Sequence, residues 1–318
     1  MDEVQQSVGT RIMRPDDSSS AITVFVVGGT GESFPGDARI EVSGLLTGVA
    51  DELDDRFVCR WVGYPASYGP APYSAGMSFV DSVAIGASRL CTAIRGAAGP
   101  IALVGYSQGA VVIRMALADL AATGTPDLDH PDLDRPDLDR IVGVGLVADP
   151  HQPPGVVPGC HGWGVAGPGV DLPAGLPVHW VGASEDMICN ADADSLVRDV
   201  ADLTGSMTFA GLGRWGRSAW KVLRANDLQN ARRTSVRPAQ WRRDPGRLVA
   251  AWREIRCYLP PRIRVSGLWV TNAAGGRHTS YHSEPYRRTS VTDPASTGCQ
   301  VIARWLQVQA TFGARAVG

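Results

Sequence analysis

Apolar residues arrive in short blocks separated by Gly, Pro, Ser and Asp. AITVFVVGG from Ala21, RFVCRWVGY from Arg56, IALVGY from Ile101, IVGVGLVADP from Ile141, LPVHWVGASEDMIC from Leu176 and IRVSGLWVT from Ile263 each read as a strand ending in a turn. Between them the period changes. Met77, Val80, Ala84, Leu90, Cys91 and Ile94 recur at intervals suited to one helix face before Gly99-Pro100, and QGAVVIRMALADLAATG carries helical spacing. STGCQVIARWLQVQATF reads as a closing helix. Strand, helix and strand in this order predict a mostly parallel central sheet with right-handed crossovers.

Three stretches depart from that alternation. Residues 1–20 read as a flexible leader. PDLDHPDLDRPDLDR, Pro126 to Arg140, repeats a pentapeptide whose proline period is expected to prevent a regular helix, leaving an exposed acidic loop. Its aspartates lack the glycine and bidentate glutamate of a calcium loop. From about Ala191 to Pro260, helix-like segments carry Trp215, Trp220, Trp241 and Trp252 among many arginines. The expected organisation is a catalytic domain over 21–200 and 261–318 with a helical insertion over 201–260. Packing on the sheet is the commoner role for such helices, a glycan or lipid surface the less common one.

At 318 residues and 44% hydrophobic, the chain can bury a large single core. A formal charge of −2 gives no reason to expect nucleic acid or an anionic membrane as partner. No apolar run reaches spanning length. MDEVQQSVGT lacks the basic and apolar regions of a signal peptide, so synthesis in a cytoplasm is expected. The six cysteines show neither CxxC pairs nor zinc spacing, which leaves free thiols, no metal site and no cofactor as the expectation.

The chemistry starts at VGYSQGA, Val104 to Ala110. Ser107 lies between a buried strand and a helix, flanked by Gly105 and Gly109, the context of a nucleophile elbow: a strained turn that exposes the hydroxyl beside a helix N-terminus. A serine is a poor nucleophile until an imidazole takes its proton, and a carboxylate must fix that imidazole's tautomer.

In an α/β-hydrolase-type site the acid and then the histidine follow the serine, on loops after later strands. Asp149 and Asp186 both qualify as the acid, and Asp186 is favoured because it follows the later strand. Of six histidines, only His278 and His282 follow both the serine and the acid on a loop after a late strand; His278 is preferred and His282 competes. The oxyanion that forms needs donors already in place. The N–H of Gln108 is one candidate, and Thr30 in GGTGE, able to offer N–H and hydroxyl, is the other. GGTGE lacks the lysine of a P-loop and the full dinucleotide fingerprint.

With these residues assembled, the chain resembles the cutinase-like serine esterases, and among them the Lysin B enzymes of phages that infect mycobacteria and related actinobacteria. The resemblance runs from about Thr23 to Leu306 and rests on GGTGE, YPASYGPAPYSAGMSFVDSV, GYSQGA, ADPHQPPG, ASEDMIC and HTSY. It implies a cutinase-like α/β-hydrolase fold with a helical insertion between acid and histidine. It also implies Ser107, Asp186 and His278 as the triad, and hydrolysis of the ester joining mycolic acids to arabinogalactan. A monomer is expected, and with the absent signal peptide the resemblance implies a protein made in the host cytoplasm that acts at the cell wall after release. Two features depart from the pattern: cutinases pair a cysteine upstream of the acid with the one after it, yet none stands close before Asp186, and the acidic repeat has no counterpart.

Overall fold

The computed structural model describes residues 21–72, 74–123, 136–205, 207, 212–225, 244–265, 268–287 and 290–313. The leader, most of the acidic repeat, His130 and Trp241 lie outside them. Five parallel strands, β1 Ile22–Val27, β2 Phe57–Trp61, β3 Ile101–Tyr106, β4 Ile141–Val147 and β5 Val178–Val181, form one sheet in the order β2-β1-β3-β4-β5. β3 is buried on both faces, as its continuous apolar run requires. The order reverses between β1 and β3, and the crevice beyond the carboxyl ends at such a reversal is where doubly wound sheets place their sites.

Helices cover both faces. On one, α2 Phe79–Gly96 and α3 Gln108–Thr123 pack with Val27, Ile101, Leu103 and Leu146. On the other, the short α1 Thr47–Ala50 and the closing helix α8 Gly298–Gly313 enclose Val24, Val26, Val104, Val147, Ile302 and Leu306. The buried stripe of α2 is Val83, Gly86, Ala87, Leu90 and Ile94, while Val80 and Ala84, expected on the same face, point outwards. Gly86 lies on the buried side, where a Cβ would fall 2.8 Å from Val112 of α3, so α2 turns this small residue towards α3.

Two expectations are corrected. The last unit of the repeat is not an irregular loop: α4, Pro136–Asp139, is one helical turn, with Leu138 buried in the core and Asp137 paired to Arg140 at 2.9 Å. Proline is tolerated at the first position of a helix, where its missing N–H has no acceptor anyway. IRVSGLWVT is not a strand of the main sheet. It forms β6 Arg262–Val265 and β7 Leu268–Thr271, paired antiparallel with each other only.

Between β5 and β6 lie α5 Leu196–Thr204, α6 Leu212–Ala225 and α7 Asp244–Tyr258. Arg198, fully buried in α5, anchors them: its guanidinium donates to the carbonyls of Asp192, Gly164, Trp163 and Ala191 and lies 4.0 Å over the Trp163 ring. Burial lowers its pKa to about 10, so it stays charged at neutral pH. Among the described residues no helix is long and apolar enough to cross a membrane.

Candidate active site

Ser107 occupies the single residue between β3 and α3, at φ 54°, a left-handed conformation uncommon for a residue with a side chain. Its flanking glycines are required by space. A Cβ at Gly105 would fall 2.7 Å from the Gly109 carbonyl oxygen, and one at Gly109 only 2.1 Å from that of Val27. The start of α3 is thus pressed onto the end of β1. Its dipole and the N–H of Gln108, which as the first helical residue has no intrahelical acceptor, face the serine.

His278 lies on a 3₁₀ turn, Arg277–Thr279, entered through Gly276 at φ 80°. Its Nε2 is 2.9 Å from Ser107 Oγ, and its Nδ1 is 2.9 Å from Asp186 Oδ2. A carboxylate can only accept, so the Nδ1 proton points at Asp186 and Nε2 is left as the base facing the serine. Asp186 is fully buried on the turn after β5. Its Oδ1 accepts from Ile188 N at 3.0 Å, and its Oδ2 takes a second donor, the Tyr281 hydroxyl, at 2.8 Å.

Of the residues singled out in the sequence, the structure therefore brings Ser107, Asp186 and His278 into one relay. It places Asp149 elsewhere: the carboxylate is buried and accepts from Arg114 at 2.7 and 2.9 Å, from Trp180 Nε1 at 3.1 Å and from His151 N at 2.9 Å. His282 is exposed and turned towards Gly48 of α1. His151 is bonded to the Gly167 carbonyl, and His179 stacks on Trp305 at 5.3 Å. Thr30 and Gln108 meet directly: Thr30 Oγ1 donates to Gln108 Oε1 at 3.0 Å, while Gln108 Nε2 donates to the Ser67 carbonyl at 3.0 Å. Glu32 ties down the same loop by accepting from Gly29 N at 2.7 Å and Leu45 N at 2.6 Å.

Three tyrosines support the histidine, and the sequence reading gave none of them a role. Tyr106 donates to the His278 carbonyl at 2.8 Å, Tyr258 at the end of α7 packs its ring 5.3 Å from the imidazole, and Tyr281 bridges Ala183 N and Asp186. Burial, helped by the Asp186 charge, pushes the Tyr281 phenol well above its ordinary range, so it remains a donor. HTSY was the available signal, since it puts Tyr281 three residues after His278. All six cysteines are free, and Gly182 stands against Cys189: a Cβ at 182 would lie 2.8 Å from its sulfur.

A strand, an elbow serine and a helix at the centre of a parallel sheet, with acid and histidine on later loops, make this an α/β-hydrolase fold. The PE-PPE domain family model matches residues 58–155, a span that includes Ser107 and stops before Asp186 and His278. No curated protein matches the chain. Among solved structures it is similar to a cutinase-like protein from Cryptococcus sp., with 16% identity, 64% of this chain and 94% of that chain covered, and a TM-score of 0.38. An acetylxylan esterase gives 20%, 64%, 98% and 0.38 for the same quantities, and a Trichoderma reesei cutinase bound to a C11Y4 phosphonate inhibitor gives 18%, 65%, 77% and 0.33.

Proposed function

We propose that the chain is a serine esterase and that its substrate is the ester joining mycolic acids to the arabinogalactan of an actinobacterial cell wall. The observation that carries the chemistry is the relay from Ser107 Oγ to His278 Nε2 and from His278 Nδ1 to Asp186, each step 2.9 Å. His278 takes the serine proton as Oγ attacks the ester carbonyl, and Asp186 stabilises the imidazolium. The oxyanion is received by the N–H of Gln108 and by Thr30. His278 then returns the proton to the sugar alkoxide as it leaves, and a water, activated by the same imidazole, releases the acid from Ser107. The substrate class is supported by the Lysin B resemblance of GGTGE, GYSQGA, ASEDMIC and HTSY, and release through a phage lysis system is part of the same reading.

The test is mass-spectrometric detection of free mycolic acids after incubating delipidated mycobacterial cell wall with wild type and with Ser107→Ala. Release by wild type alone is the expected result. Hydrolysis of soluble lipid esters without mycolate release would make the protein a general lipolytic esterase. No hydrolysis of either would leave a wall-binding protein without the chemistry.

A further inference from the structure

The helices of the insertion wear apolar side chains outwards. Leu248, Val249, Trp252, Arg253 and Arg256 share one side of α7 by helical spacing and are all exposed, while Arg247 and Ala251 on the opposite side are buried. On α6, Trp220 is exposed between exposed Arg217 and Lys221, whereas Trp215 turns in to donate to the Leu203 carbonyl at 2.7 Å. β7 exposes Leu268, Trp269 and Val270, residues that alternate between the two faces of the ribbon. The three outward indoles are 65%, 63% and 70% exposed, so inward packing accounts for Trp215 and not for Trp220, Trp252 or Trp269.

Charge concentrates in the same segment. Residues 201–271 hold fourteen Arg and Lys against four Asp and Glu, in a chain whose net charge is −2. The rest of the molecule is therefore acidic, and the near-neutral total hides a strongly basic stretch. Arg217, Lys221, Arg253, Arg256, Arg262 and Arg264 are all exposed: the first two bracket Trp220 in α6, the next two lie on the outer side of α7, and the last two belong to β6, where Arg264 stands opposite Trp269.

We infer that this surface docks on an anionic phospholipid bilayer. Indoles favour the boundary between headgroups and acyl chains, and arginine and lysine complement headgroup phosphates, which is the composition found here. Each outward indole has exposed cations beside it, Arg217 and Lys221 for Trp220, Arg253 and Arg256 for Trp252, and Arg264 for Trp269, and this repeated pairing matches the phosphate and acyl boundary of an anionic bilayer. The surface adjoins the site: Tyr258, the last residue of α7, packs on His278, and Asn272, directly after β7, donates to the Arg256 carbonyl at 2.6 Å. The inference does not depend on which ester Ser107 attacks.

The test is flotation of the full chain, carrying Ser107→Ala to exclude hydrolysis, with vesicles of phosphatidylcholine alone or with about 30% phosphatidylglycerol. Binding to the anionic vesicles only, a blue shift of indole emission, and release at about 0.5 M salt are expected. Trp252→Ala/Trp269→Ala and Lys221→Glu/Arg253→Glu, checked for native circular dichroism, are each expected to weaken binding by about tenfold or more. Absence of binding to anionic vesicles, or undiminished binding by both folded double variants, would overturn the inference. So would a concentration-dependent dimer that Trp252→Ala/Trp269→Ala abolishes, because a second copy would then cover the patch.

Discussion

The Tyr281 hydroxyl and His278 Nδ1 converge on the same oxygen of Asp186, at 2.8 and 2.9 Å. The same hydroxyl accepts from Ala183 N, so one phenol fixes both the carboxylate and the backbone of the turn that carries it. Tyr281→Phe keeps the ring and removes both bonds. A hydrogen bond to a charged group is worth about 1.5 to 3 kcal/mol, so kcat on a short chromogenic ester should fall by about tenfold or more with KM little changed. An unchanged kcat would remove Tyr281 from any positioning role.

His278 and His282 stand four residues apart, yet only the first reaches the serine. His278→Ala should lower kcat by about 10⁶-fold, leaving a residual rate that comes from binding and the oxyanion donors alone. His282→Ala, which removes an exposed ring beside α1, should behave like wild type. Parallel kinetics of the two variants checks the assignment, and a dead His282→Ala would reverse it.

Most of the sheet was legible because its three central strands, β1, β3 and β4, are apolar on both faces and bounded by Gly, Pro and Asp, so that period and punctuation agree. The elbow was legible for the same reason. The late strand misled: IRVSGLWVT has the composition of a buried strand, but its pairing is local and β7 lies open to solvent. The near-neutral net charge of −2 averages over the chain and so does not display the basic segment over 201–271. Supporting residues such as Tyr106 and Tyr258 were invisible, because each contact with His278 spans a separation that no local pattern encodes.

Thr30 offers the most direct probe of the oxyanion site. Its hydroxyl is held by Gln108 Oε1, the side chain of the residue that follows Ser107 at the start of α3. Thr30→Val preserves shape and removes that hydroxyl. The hydroxyl's single proton is committed to Gln108 Oε1, so its loss removes a brace on the residue that bears the candidate oxyanion N–H, and a fall in kcat of up to about tenfold with little change in KM is expected. If kcat is unchanged, the backbone N–H groups hold their positions without that brace.

Asp149 separates stability from catalysis. Its carboxylate and Arg114 are both buried, with side-chain exposures of 0% and 5%. Asp149→Ala would strand the guanidinium, a loss of about 3 to 5 kcal/mol for a broken buried pair. Urea unfolding should register that loss, while kcat per folded molecule stays close to wild type. A dead but stable variant would return Asp149 to the site.

Asp37 gives a pH-dependent counterpart at the base of the GGTGES loop. Hydrogen bonds from the Arg39 side chain, opposed by burial and assisted by Ser33 and Trp61, hold its carboxyl far below the ordinary value of 3.8. Arg39 Nη2 and Ser33 Oγ each donate to Oδ2 at 2.6 Å. Between its folded and unfolded values the unfolded chain carries a proton that the folded one does not, so stability rises with pH across that window. The contribution is complete above about pH 4 and drains away as pH falls further. Asp37→Asn should therefore melt several degrees below wild type at pH 7, with the gap narrowing as both are acidified below 3.8. Melting curves that stay parallel from pH 7 to the acid limb would show that the loop is held by packing and not by this carboxylate.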